Sequence, residues 1–149
     1  MSNTPETLTV TIKRRFHATA ETVFDAWLNP HRASKWLFAT PTGQIVRAEI
    51  DARIGGRFAL VDRRDGVDVE HVGEYLEIDR PRRLVFTFAV PMYSPLYTTV
   101  FISIEPMGDQ CELELRHEGV LSEYGERTME GWGMILAILA QHTEVLSDE

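Results

Sequence analysis

The last stretch of the chain, residues 122–146, repeats apolar residues at a helical period and constrains the fold more than any other segment. The predicted apolar stripe consists of Leu121, Tyr124, Thr128, Trp132, Ile135, Leu139, His142 and Leu146, widened by Met129, Met134, Leu136 and Ile138. A stripe this broad has to be covered by a second layer of structure. The sequence therefore predicts one long C-terminal helix that packs against the rest of the chain.

Two glycines interrupt this helix, Gly131 and Gly133, on either side of Trp132. Each glycine costs about 1 kcal/mol of helix propensity relative to alanine. We interpret this cost as a sign that the helix backbone approaches another layer closely. On this interpretation, Gly131→Leu overpacks the contact and disrupts the domain.

The opening of the chain combines one strand with two short helices. Residues 8–16 alternate between apolar and polar, as in a strand with one buried face. Thr19 then provides an N-cap for a short helix that ends before Pro30. A further helical turn over residues 31–36 is predicted to leave Trp36, Leu37 and Phe38 as an aromatic group at a loop edge.

Six more strands are predicted between these helices and the C-terminal one, separated by turn-forming residues, at 45–51, 57–62, 69–78, 84–90, 97–105 and 111–118. The regular spacing indicates consecutive antiparallel pairing. We therefore predict an α+β fold in a single domain over residues 1–149. A curved seven-stranded antiparallel sheet wraps around the long helix and leaves a pocket for a small apolar molecule.

Charge and cysteine content limit which partners and which cellular compartment we expect for this protein. The net charge of −8 disfavours nucleic acid and anionic membrane surfaces as partners. The doublets Arg14-Arg15, Arg63-Arg64 and Arg82-Arg83 are interpreted as solvated strand ends or turns. A lone cysteine, Cys111, and a first segment without an export signal predict a cytoplasmic protein.

Catalytic and cofactor motifs are missing from the sequence: it contains no nucleophile elbow, phosphate-binding loop, dinucleotide-binding turn or zinc-binding helix. We therefore predict no catalytic residue, no metal and no cofactor. His117 shares the inward phase of its strand with Cys111, and a neutral imidazole there could act as a general base or orient a ligand. A structural histidine bonded to the backbone explains the same pattern.

Four segments carry a resemblance to a known family: AETVFDAWLNPHRASKW (20–36), IGGRF (54–58), HVGEYLEIDRPRRLVFTF (71–88) and EGWGMILAILA (130–140). They resemble the family related to the C-terminal domain of the activator of the heat-shock protein ninety ATPase. The resemblance implies the START-like helix-grip superfamily, whose members include binding proteins, cyclases and dehydratases. Two positions depart from the family, which often has tryptophan where Leu37 and Phe88 stand.

Three functions remain open from the sequence. The leading hypothesis is binding or carriage of a small hydrophobic ligand in a cavity between the sheet and the C-terminal helix. A cavity below about 100 Å³, or one filled by the protein's own side chains, would remove this hypothesis. A cyclase or dehydratase acting on a polyketide-like substrate would require two polar groups within hydrogen-bond reach. A chaperone-partner module is less favoured, because the family's ATPase stimulation also involves a separate N-terminal domain. The sequence also leaves open whether the protein forms a homodimer.

Ten residues are predicted to line the ligand cavity, from the inward strand phases, the helix stripe and the loop edge: Trp36, Phe38, His71, Phe86, Phe88, Tyr97, His117, Trp132, Met134 and Ile135.

Overall fold

The computed structural model describes residues 6–38, 43–94 and 96–147, with side chains described as far as residue 143. The side chain of Leu146, a member of the predicted stripe, lies outside that part. In chain order the elements are β1 (Thr7–Phe16), α1 (Ala20–Leu28), α2 (Pro30–Ala33), β2 (Gln44–Ile50), β3 (Arg57–Arg64), β4 (Val67–Asp79), β5 (Arg83–Phe88), β6 (Thr98–Met107), β7 (Gln110–Leu121), a short 3-10 helix (Ser122–Tyr124) and α3 (Gly125–Ser147).

The seven strands form one antiparallel sheet in the order β1-β7-β6-β5-β4-β3-β2. Consecutive strands pair from β2 to β7, and β1 closes onto the far side of β7. The predicted α+β fold with a curved sheet and a long C-terminal helix is confirmed. Within the described residues, no helix combines the length and the apolar character needed to cross a membrane.

Local capping explains the two short helices. The Thr19 hydroxyl accepts a hydrogen bond from the Thr22 amide (3.2 Å), and Asn29 accepts one from the Arg32 amide (3.1 Å) where Pro30 begins α2. Trp36, Leu37 and Phe38 are buried rather than at a loop edge, with Trp36 fully buried. The Trp36 indole donates to the Ala26 carbonyl (3.1 Å), which anchors this segment against α1.

The buried face of α3 differs in part from the predicted stripe. Trp132 and Leu139 are buried as expected, but Met129, Met134 and His142 are exposed. Leu136, also predicted, is buried too, and the other buried positions among the described residues of α3 are Gly125, Ala140 and Thr143. Because α3 carries apolar residues on most sides, periodicity alone did not fix the contact face, and the small residues allow α3 to approach β1.

The interpretation of Gly131 and Gly133 is wrong. A Cβ atom built on either glycine meets no other atom within 4 Å, so neither marks a close approach. The close approaches are elsewhere. A Cβ on Gly125 would lie 3.0 Å from the Leu8 side chain, and a Cβ on Gly73 would collide with the Thr87 carbonyl oxygen.

Candidate functional site

The space between the sheet and the helices is almost completely filled at one end of the molecule. The cavity there has a volume of about 10 Å³ and is lined by Trp27, Leu37, Phe58, Tyr75, Leu84 and Phe86. Trp27 packs edge-on against Trp36 with ring centroids 4.6 Å apart. The Trp27 indole nitrogen has no hydrogen-bond partner among the described residues. This end, called here the closed end, has room for at most a water molecule.

The other end of the sheet opens into a groove of about 500 Å³. It is bounded by the end of β3, the β5–β6 connection, the end of β7 and the first turns of α3. Its described lining residues are Arg64, Phe88, Ala89, Val90, Tyr93, Ser94, Leu96, Thr98, His117, Gly119, Val120, Leu121, Tyr124, Arg127 and Thr128. Of these two spaces, the larger lies at the edge of the sheet–helix gap, and the cavity predicted at the centre of that gap is filled by side chains.

The ten residues predicted to line a cavity separate into five groups. Phe88 and His117 line the groove. Phe38, His71 and Trp132 lie directly behind it, each with its ring within 6.3 Å of the Phe88 ring.

Trp36 and Phe86 belong to the closed end, where both contact Trp27. Tyr97 and Met134 are exposed, at 61% and 45%, and lie outside the groove lining, and Ile135 is half-buried against the core. The strand phases identified inward-facing residues correctly, but they could not distinguish filled interior from open groove.

A hydrogen-bonded chain fixes His117 at the groove. The Trp132 indole N–H donates to His117 Nδ1 (3.0 Å), and His117 Nε2 lies 2.6 Å from the Thr98 hydroxyl oxygen. The Thr98 hydroxyl donates to the Phe88 carbonyl (3.1 Å). An indole nitrogen can only donate, so Nδ1 carries no proton and the neutral ring carries its proton on Nε2.

This arrangement limits what His117 can do. Burial lowers the pKa of His117 to about 4, so the ring is neutral at pH 7. Its one basic lone pair is occupied by the Trp132 indole, and Nε2–H donates to Thr98. The enzyme hypothesis requires two polar groups within hydrogen-bond reach, and His117 and Thr98 meet that requirement. His117, however, cannot accept a proton at Nδ1 unless the Trp132 indole first moves away. The geometry favours a structural role for His117, which holds Thr98 and Trp132 in place, over a role as general base.

His71 occupies a similar buried position behind the groove. Its ring stacks on Phe38 with centroids 4.5 Å apart and planes 4° apart. Burial lowers the pKa of His71 to about 4, and a hydrogen bond to the Leu60 carbonyl (3.3 Å) only partly opposes that effect. As predicted, Glu74 lies on the opposite face of β4 and forms no pair with His71.

Two arginines at the groove were not predicted. Arg64 Nε donates to Asp62 (2.5 Å), whose side chain is fully buried. The sequence had instead led us to interpret Arg64 as part of a solvated strand end or turn. The signal was present in the sequence, because Asp62 shares the inward phase of β3 with Phe58 and Leu60. Arg127, on the first turn of α3, had no sequence signal of its own.

Comparison with solved structures supports the same fold. Protein CV1439 from Chromobacterium violaceum is 26% identical over 91% of this chain and 96% of its own, with a TM-score of 0.84. The AHSA1-like protein from Aeromonas hydrophila is 18% identical over 95% and 96%, with a TM-score of 0.83. CalU16 from Micromonospora echinospora is 24% identical over 93% and 85%, with a TM-score of 0.69.

No curated protein sequence matches the chain. A family model does match it, over residues 17–144, which include α1, all of β2 to β7 and most of α3. That model describes the activator of Hsp90 ATPase homolog 1-like proteins. Together with the antiparallel sheet and C-terminal helix described above, the match shows that the chain belongs to the activator of Hsp90 ATPase homolog 1-like protein family.

Proposed function

We propose that the protein binds a small hydrophobic ligand in the groove between the β5–β6 connection, the end of β7 and the start of α3. The observation that carries this proposal is the volume of about 500 Å³, which lies in the range of small-molecule sites. The closed end, at about 10 Å³, is ruled out as the ligand site by its own side chains. The proposal therefore moves the ligand away from the centre of the helix–sheet interface.

The chemistry of the groove supports an apolar ligand. Most of its walls are carbon, contributed by residues such as Phe88, Leu96 and Val120. Leu96 and Tyr93 are exposed at 59% and 68%, which leaves apolar surface in water that a ligand would cover. Thr98 and His117 add a few fixed polar atoms, the combination that is typical of sites that orient a largely apolar molecule.

The test blocks the groove with a large side chain. Thr128 is half-buried on α3 and lines the groove, so Thr128→Trp should fill part of the space. We expect the neutral dye Nile red to bind the wild type at micromolar concentration, about −8 kcal/mol, and Thr128→Trp to weaken it at least about tenfold. Calorimetry should show a negative heat-capacity change on binding.

The matched control is Glu130→Trp, which places the same side chain on an exposed position of α3 outside the groove. Glu130→Trp should bind Nile red as the wild type does. Equal binding by both variants, with both shown to be folded by circular dichroism, would place the dye elsewhere and remove the groove as the ligand site. No saturable binding of Nile red by folded wild-type protein would also count against the proposal.

A further inference from the structure

We infer that the ligand of this groove is an amphiphile with a monoanionic head group, a carboxylate, and an apolar body. This inference rests on the proposed function, because it specifies which hydrophobic ligand the groove takes. The groove is not uniformly apolar: among its described lining residues the charged side chains are Arg64 and Arg127, and none is acidic.

The two arginines have different roles. Arg64 is held by Asp62 through Nε, and this ion pair is neutral as a whole. Asp62 is fully buried and holds the Arg64 guanidinium through Nε, and no hydrogen bond from the terminal N–H groups of Arg64 is found within the described residues. Arg64 thus contributes directed hydrogen-bond donors to the groove and little net charge.

Arg127 supplies the net charge. It is exposed on the first turn of α3 and forms no ion pair with any residue in the described part of the chain. His117 is neutral, since its Nδ1 accepts the Trp132 N–H. The groove therefore presents a net charge of about +1, which matches a monoanion, and its planar guanidinium groups match a carboxylate.

The positive charge of the groove is informative because the protein as a whole is acidic. The chain as a whole carries a net charge of −8, which repels anions at long range. Salt screens that repulsion beyond about 8 Å at physiological ionic strength, whereas direct contact with a guanidinium persists. The described lining of this groove has two arginines and no acidic side chain, although the protein as a whole is acidic. This contrast indicates selection for an anionic head group.

The experiment compares three probes that share one alkyl chain and differ in the head group: decanoate, decanol and decyltrimethylammonium. By displacement of Nile red at 0.1 M salt, we expect decanoate to bind the wild type about tenfold more tightly than decanol, and the cationic probe most weakly. Arg127→Gln should remove most of the decanoate preference and leave decanol affinity unchanged. Arg127→Glu should bind the cationic probe more tightly than decanoate.

The control is Arg15→Gln, which makes the same charge change on an exposed position of β1. In the register of β1 against β7, Arg15 lies opposite Glu112, at the end of β7 that is remote from the groove. It should leave the order of the three probes unchanged. Arg64 is left intact in this test, because its removal would take away the guanidinium that pairs with the buried Asp62 carboxylate and would destabilise the fold.

The outcomes separate the two proposals. Equal affinities for decanoate and decanol, or an unchanged decanoate preference in Arg127→Gln, would overturn the anionic head group while Nile red binding still supports a hydrophobic ligand. Failure of Nile red and of all three probes to bind folded protein would overturn both.

Discussion

The closed end and the groove are built on the same strands but differ about fifty-fold in open volume, about 10 Å³ against about 500 Å³. On β5, Phe86 belongs to the closed end and Phe88 to the groove, only two residues further along the same face. What differs is the opposite layer. Trp27 and the segment after α2 fill the closed end, whereas the opposite side of the groove is formed by the β5–β6 connection and the first turns of α3.

This contrast shows that the alternation of apolar and polar residues along a strand predicts which side chains point inward. It does not predict whether another layer of structure covers them. At the closed end, Trp27 and Trp36 supply enough volume to reach the packing density of an ordinary core. At the groove, small residues such as Ala89, Ser94 and Gly119 leave the space open. Stability should therefore depend mainly on the closed end and ligand binding mainly on the groove.

The largest expected effect of a single substitution is at the closed end. Trp36→Ala removes a fully buried indole, its edge-on contact with Trp27 and its hydrogen bond to Ala26, so it should lower the free energy of unfolding by about 3–5 kcal/mol. Urea denaturation followed by circular dichroism measures this. Leu96→Ala, at the groove, is the comparison and should change stability by less than about 0.5 kcal/mol. Similar losses in both variants would break the distinction between the two ends.

Acid should destabilise the protein through His71 and His117, the two buried histidines at the groove end. In the unfolded chain His71 and His117 take up protons near pH 6.5, but in the folded protein their pKa values are lowered to about 4. The unfolded state therefore binds more protons between pH 6.5 and 4, so stability falls as the pH falls through that window, by about 3 kcal/mol for each histidine.

The pH effect is measured by urea denaturation from pH 7.5 to 4. His117→Gln, which cannot titrate, should remove about half of the loss between pH 6.5 and 4. An identical pH dependence in that variant would show that His117 takes up its proton without disturbing the fold, against the fixed chain from Trp132 to Thr98.

Gly73 tests how tightly the sheet is packed beside the closed end. A methyl group there would collide with the Thr87 carbonyl and lie 2.5 Å from the Phe58 ring, so Gly73→Ala should destabilise the protein by about 1–3 kcal/mol. A melting curve by differential scanning calorimetry gives the change. A melting temperature equal to that of the wild type would mean that β4 and β5 can separate without cost.

The smallest expected effect has the opposite sign. Gly131→Ala on α3 places a methyl group in open space and removes the helix-propensity cost of glycine, so it should stabilise the protein by about 1 kcal/mol. The same calorimetric measurement checks it against Gly73→Ala. A loss of stability in Gly131→Ala would restore the close contact that the sequence suggested and the structure contradicts.

Much of the fold was predictable from local patterns. The six alternating segments, the Thr19 cap and the C-terminal helical period predicted the element order, and residues such as Cys111 and His117 were assigned the correct inward face. The site was harder to predict. Arg127 lies on an exposed helix turn whose local sequence resembles any solvated surface, and Tyr97 follows a loop whose path depends on distant packing.

The sequence by itself determined which residues are helical or extended and which strand positions face inward, because these follow from backbone periodicity and capping within a few residues. Only the tertiary structure decided which inward residues are covered, which face of α3 is buried and that Arg64 and Arg127 meet at one groove. Those outcomes depend on side-chain volume and charge brought together from β3, β5, β7 and α3. Residues far apart in the chain carry no local signal of their meeting.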